Sequence, residues 1–133
     1  MKITLNDHIL AAGNAHHEQP EHFEIDGQRN MQILQAIRSD NVRTFNRGNL
    51  QIKIVFTVGR HHKTASEAIH HALTHACALI HASGTLNIAL EDKAQQQFSL
   101  ESATLYHIKT HYKGNASYTT YEIYGGNLHG TQQ

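Results

Sequence analysis

Residues 42–60 read VRTFNRGNLQIKIVFTVGR, residues 64–83 read TASEAIHHALTHACALIHAS, and residues 84–92 read GTLNIALED. The first of these alternates. Leu50, Ile52, Ile54, Phe56 and Val58 fall on one face of a strand, and Gln51, Lys53, Val55 and Thr57 on the other. Val55 is the one break in the pattern, so the second face is expected to be partly covered. The second stretch has helical spacing. Apolar residues at 65, 69, 72, 73, 76 and 80 line up, widened by Ala68 and Leu79. Thr64 followed by Glu67 matches a capping box at its start, and Ser83-Gly84 reads as its stop. Thr85–Leu90 then alternates as a strand. A helix set between strands in this order predicts an α+β chain: an antiparallel sheet or β-sandwich packed against one long helix over about 65–82. A hot-dog arrangement, with the sheet wrapped round the helix, satisfies the same pattern.

Outward from that core the signals weaken. Lys2–Leu5 fits a short strand, His8–Ala12 is apolar enough to pack, and Gly13–His22, with the only proline at Pro20, reads as a loop. His22–Ile25 alternates and runs into Asp26-Gly27, a hairpin turn signal. Met31–Ile37 has the spacing of a short helix. Val42–Phe45 starts a strand, and Asn46–Asn49 turns or bulges it. Beyond the long helix, Glu91–Gln97 reads as a turn, Phe98–Leu100 and Ala103–Tyr112 as two strands, and Gly114–Ser117 as a turn. Tyr118–Tyr124 reads as a strand ended by Gly125-Gly126. The whole chain, 1–133, then forms a single α+β domain. It comprises an N-terminal strand, loop and short helix over 1–41, the strand-helix-strand core over 42–126, and a frayed tail over 127–133.

Composition narrows the function. Eleven Lys and Arg balance eleven Asp and Glu, so there is no basic excess to neutralise phosphates. That argues against nucleic acid as a partner, and a near-neutral chain is not kept apart from its own copies by long-range repulsion. The single cysteine, Cys77, excludes an internal disulfide and a multi-cysteine zinc site. No stretch approaches the roughly 20 apolar residues of a membrane span, and residues 1–17 lack a signal-peptide pattern, so a cytoplasmic protein with no membrane partner is expected. A chain of 133 residues can bury a core without a metal or disulfide.

Thirteen histidines are the compositional oddity. Their ordinary pKa, about 6.5, means that mild acid would add many positive charges at once. On the helix, His71 and His75 are four apart, with Glu67 four before His71. The three are the candidate metal ligands, although the order is not the H-E-x-x-H of metalloproteases. His107 and His111 share a strand face but stand ~13 Å apart, too far to share one ion. No cofactor is expected beyond adventitious zinc or nickel. No G-x-S-x-G, G-x-G-x-x-G or P-loop is present, and Cys77 lies mid-helix, away from the helix N-terminus that activates a thiol. No enzyme is indicated. Only Glu67 offers the helix carboxylate that a hot-dog enzyme would use, and its place in the capping box accounts for it.

One resemblance spans Val42–Gly126. It is carried by the ordered pieces RGN (Arg47–Asn49), FTVGR (Phe56–Arg60), and a helix opening with Ser66, Ala68 and Ile69 and stopping before Gly84-Thr85-Leu86. These are followed by ESATL (Glu101–Leu105), a turn at Gly114, and YEIYGG (Tyr121–Gly126). In this order they resemble small tail-associated structural proteins of tailed phages and prophages; the histidine-loaded helix departs from that pattern. The resemblance implies a non-enzymatic particle component. It would bind copies of itself or other tail proteins, and stay cytoplasmic until assembled into a phage-like particle. Strands Leu50–Val58 and Tyr118–Tyr124 are the expected contact edges, with Tyr118, Tyr121, Tyr124, Arg47 and Lys53 as contact residues. The alternatives are a hot-dog-like enzyme or ligand-binding module, and a histidine-rich metal-binding protein.

Overall fold

The computed structural model describes residues 2–12, 18–25, 44–45, 51–80, 82–89 and 97–131. The Asp26-Gly27 turn, the Met31–Ile37 helix, Arg47 and the turn beginning at Glu91 lie outside them. The described strands are β1 (Lys2–Leu5), β2 (His8–Ala12), β3 (Glu18–Ile25), β4 (Thr44–Phe45), β5 (Ile52–His61), β6 (Ser83–Ala89), β7 (Gln97–Lys113), β8 (Ala116–Gly125) and β9 (Leu128–Thr131). Among the described residues one helix, α1 (Ala65–Ala78), lies between β5 and β6. All the pairings are antiparallel. The sheet runs β2-β1-β6-β7-β8-β5-β3, with β9 on β7 and β4 on β9.

The sheet curls on itself, so that β2 and β3, at opposite ends of the strand order, approach each other. The inner face is the alternate set expected for β5, with Ile52, Ile54, Phe56 and Val58 all fully buried. Ile3, Leu5, Leu86, Ile88, Phe98, Leu100, Tyr121 and Ile123 meet them in one cluster. The sheet thus fills its own interior. From the helical segment, Ala68, Ala72 and Leu79 are buried, with Ala82 just beyond, while Ile69, Leu73 and Ile80 stay exposed. The apolar stripe seen in the sequence is therefore split: one edge turned inward, the other left outside.

Several element boundaries depart from expectation. The α-helix stops at Ala78, capped by Leu79, and Gly84 lies inside β6 rather than ending the helix. The start of the helix is as read. The Thr64 hydroxyl accepts the Glu67 N–H at 3.1 Å, and the Glu67 carboxylate reaches back to the Lys63 N–H at 3.2 Å. The two expected strands Phe98–Leu100 and Ala103–Tyr112 are one, β7, which passes through a left-handed Ser102 at φ 52°. Glu18–Ile25 is a strand although it contains Pro20. It pairs with β5 alone among the described residues, and a sheet edge tolerates a residue without an N–H. The tail expected to fray is β9, paired to β7 and β4.

The expected contact edges are corrected outright. β5 has β8 on one side and β3 on the other, and β8 has β7 and β5. Neither can accept a further strand, because both rows of backbone groups are already paired.

Candidate functional site

The alternation that buries Ile52 to Val58 carries Arg60 to the same inner face, where it is 3% exposed. Among the described residues its guanidinium meets two acceptors. Nη2 donates to the Leu10 carbonyl at 2.7 Å and to the Tyr121 hydroxyl at 3.1 Å. The Leu10 carbonyl is available for a reason. In the β1–β2 hairpin, Thr4 opposes Ile9 and Ile3 opposes Ala11, which leaves Leu10 as the extra residue of a bulge. A buried bulge carbonyl needs a donor, and Arg60 reaches it from β5 across the curl. The contact ties β5 to β2, so Arg60 latches the curled sheet.

Tyr121 joins this latch to the helix. Its ring stacks on Phe56 at 5.0 Å between centroids, and its hydroxyl lies 2.5 Å from His75 Nε2. Arginine can only donate, so the phenol oxygen accepts from Arg60 and its own proton is free to go to His75. From His75 the imidazoles continue in a line: His71 stacks on it at 5.6 Å, and His62 lies 5.0 Å from His71. His62 is fixed at the end of β5 by its N–H to the Asn115 carbonyl at 3.0 Å and by the Asn115 amide to its own carbonyl at 2.7 Å. Among the described residues, His62 Nε2 and Ser117 Oγ are buried without hydrogen-bond partners.

Of the proposed metal ligands, His71 and His75 come together but Glu67 does not join them. Its carboxylate is used at the helix start, and the histidines turn to His62 and Tyr121 instead. No group of three or more His, Cys, Asp or Glu among the described residues stands close enough to hold a metal ion. Cys77 is exposed and unpaired.

The expected contact residues divide. Tyr121 is fully buried and held by Arg60, so it cannot meet a partner of the folded chain; period-two alternation puts it on the inner face with Ile123. Tyr118 and Tyr124 are half-buried on the outer face, where Tyr118 stacks on His111 at 5.0 Å. Lys53 lies on the same face, 3.3 Å from Glu122, whose carboxylate also accepts the Tyr124 hydroxyl at 2.9 Å. Burial works against ionised Glu122, but Tyr124 and Lys53 outweigh it and hold the carboxyl below its ordinary value. The same hydrogen bond raises Tyr124. A lowered carboxyl contributes stability above its unfolded pKa and loses it as the pH falls through the folded one. We expect Glu122→Gln to remove a small acid-dependent increment, ~0.2–1 kcal/mol at this exposed site. Urea denaturation at pH 7 and at pH 3 measures it: the variant should fall behind the parent at pH 7 and converge with it at pH 3.

A second surface gathers around the far half of α1. Ile69, Leu73 and Ile80 are 45%, 62% and 64% exposed, and Tyr106 on β7 is 72% exposed. A cleft of about 220 Å³ lies between Ile80 and Tyr106, lined also by Ala76, Leu79, Leu105, His107 and Ile108. Tyr106 projects because it is itself a bulge residue: Leu105 opposes Ile123 and His107 opposes Glu122, with Tyr106 left between.

No family model matches the chain, and no curated protein or solved structure shows significant similarity to it.

His62 is the site residue that a reading of the sequence passes over, and Arg60, which reads there as ordinary surface charge or a subunit contact, is buried instead. The signal for Arg60 was present: it shares parity with Ile52, Ile54, Phe56 and Val58.

Proposed function

We propose that this chain is a non-enzymatic structural or assembly component that acts by contact with copies of itself or with neighbouring proteins, of the kind found in the tails of phages and prophages. The observation that carries the contact role is the exposed apolar stripe of Ile69, Leu73 and Ile80 along the helical segment, with a cleft between Ile80 and Tyr106. Soluble chains seldom expose contiguous apolar patches of more than a few hundred Å² unless the patch meets something, so a face of this kind on a folded domain reads as an interface. The absence of net charge supports the reading, since nothing long-range opposes association. In this reading α1 is the layer that packs against the sheet and presents its outer stripe to the partner. The tail assignment rests on the order of the sequence motifs across Val42–Gly126. It carries with it a cytoplasmic life before incorporation into a particle. No helix among the described residues is long and apolar enough to cross a membrane.

The test is co-expression with the products of the adjacent genes, followed by light scattering after size exclusion. A homo-oligomer or a complex with tail, portal or baseplate proteins, weakened by Leu73→Asp, is the expected result. A chain that stays monomeric alone and binds none of its neighbours would sink the proposal.

A further inference from the structure

Among the described residues, an open edge lies not on the alternating strands but on the second half of β7. The pairing of β6 with β7 ends at Ser83 opposite Thr104, and the Ala82 carbonyl then takes the Leu105 N–H at 3.1 Å. From Tyr106 to Lys113, β7 has β8 on one side and, among the described residues, no strand on the other. Every second residue of this run therefore turns its N–H and C=O outward, ready to pair with an added strand.

The two faces beside this edge differ chemically. On the inner side, Ile108 and Leu105 lead into the cleft under Ala76, Leu79 and Ile80, which Tyr106 and His107 also border, with Tyr112 farther along. On the outer side stand His107, Lys109, His111 and Lys113, all exposed. His107 opposes Glu122 across the ladder, but Lys109, His111 and Lys113 have no carboxylate partner among the described residues. The outer row is thus a basic stripe at two-residue spacing, beside a mainly apolar cleft, along a backbone edge with no strand on it among the described residues.

We propose that this edge takes an extended segment of a partner protein in which apolar and acidic residues alternate. The backbone of that segment continues the sheet beyond β7. Its apolar residues turn toward α1 and its carboxylates toward Lys109, His111 and Lys113. Period-two geometry enforces the code, because side chains of an added strand must fall alternately on the two faces. A second copy of this chain is the wrong occupant. Antiparallel pairing of two β7 edges would set lysine rows side by side, and like charges across a ladder repel. Lysines on an edge are a common guard against such self-pairing. The inference rests on the assembly reading above and names the chemistry of the neighbour.

The probes are two fluorescein-labelled ten-residue peptides, one alternating valine with glutamate and the other valine with lysine, titrated at low salt and followed by anisotropy. The glutamate peptide should bind more tightly by about tenfold or more, as several part-exposed charge contacts together would give. The double variant Lys109→Glu/Lys113→Glu should reverse the preference; both positions are exposed, and an unchanged thermal melt shows that it folds. Amide shifts should centre on residues 106–113. Equal binding of the two peptides, no binding below about 1 mM, shifts centred on β2 or β3, or a wild-type dimer formed through β7 would each overturn the proposal. If the peptides fail while the chain still assembles with itself or its neighbours, only the edge inference falls. If they bind as expected and no assembly is found, only the assembly reading falls.

Discussion

Arg60→Met should lower the stability by about 2–5 kcal/mol, the combined cost for two buried acceptors that each lose a donor at ~1–3 kcal/mol. For a chain of this size that moves the thermal midpoint by roughly 10 °C. Methionine fits the flexible, elongated volume of the arginine stem, so packing loss is a minor part of the effect. What remains is the Leu10 bulge carbonyl, buried and without the guanidinium, and the Tyr121 hydroxyl with one contact fewer. Relief of the buried charge works in the other direction, but both acceptors stay in place, and leaving them bare costs more than that relief returns. Tyr121→Phe removes the hydroxyl shared by Arg60 and His75 and should cost ~1–3 kcal/mol. Because the two residues share one hydrogen bond, the double variant should cost less than the sum of the singles. Urea denaturation of the three variants measures this. If Arg60→Met shifted the stability by less than ~0.5 kcal/mol, the typical range for surface changes, Arg60 would not be a latch.

Gly84→Ala is the second large effect. Gly84 has φ +141°, which L side chains rarely adopt, and a Cβ placed there would lie 2.0–2.2 Å from the Asn6 amide group. Backbone strain of this kind costs on the order of 1–3 kcal/mol. The Asn6 side chain, moreover, acts as a piece of strand: its Oδ1 accepts the Thr85 N–H at 3.1 Å and its Nδ2 donates to the Ser83 carbonyl. Pushing it aside breaks both bonds, and the total should reach roughly 3–5 kcal/mol. The same substitution in an Asn6→Ala background separates the two parts. The steric share disappears there and the backbone share stays, so the added cost of Gly84→Ala should fall by about half. An unchanged cost would place the whole effect in the backbone.

The sequence shows period and helix start more readily than it shows neighbours. The alternation of Ile52–Val58, the Thr64–Glu67 cap and the strand around Tyr121 are local patterns, and the structure keeps them. Which strands lie at an edge depends on partners tens of residues away. That is why β5 and β8 looked open while β7, broken in reading at Glu101-Ser102, hid both its length and its free side. A serine at φ 52° has no residue signature comparable to glycine. The stripe on α1 was legible as apolar, but its division between core and solvent was not, because the width the sheet can cover is a tertiary quantity. At the latch, the parity of Arg60 was visible, whereas the carbonyl it serves depends on a bulge that no residue type at Leu10 announces.

The reach of the Asn6 and Arg60 contacts has a bearing on time as well as strength. The β1–β2 hairpin is made early in synthesis, yet its partner β6 begins at Ser83 and its latch sits at residue 60. Until those segments exist, the hairpin has nothing to lean on, and a lone two-stranded hairpin is marginal in water. Closure must therefore await pairings between distant parts of the chain, the kind that places folding in the millisecond-to-second range rather than the microsecond one. During that interval the backbone edge of β1 stands open, and crowding by nascent copies would do the most harm then.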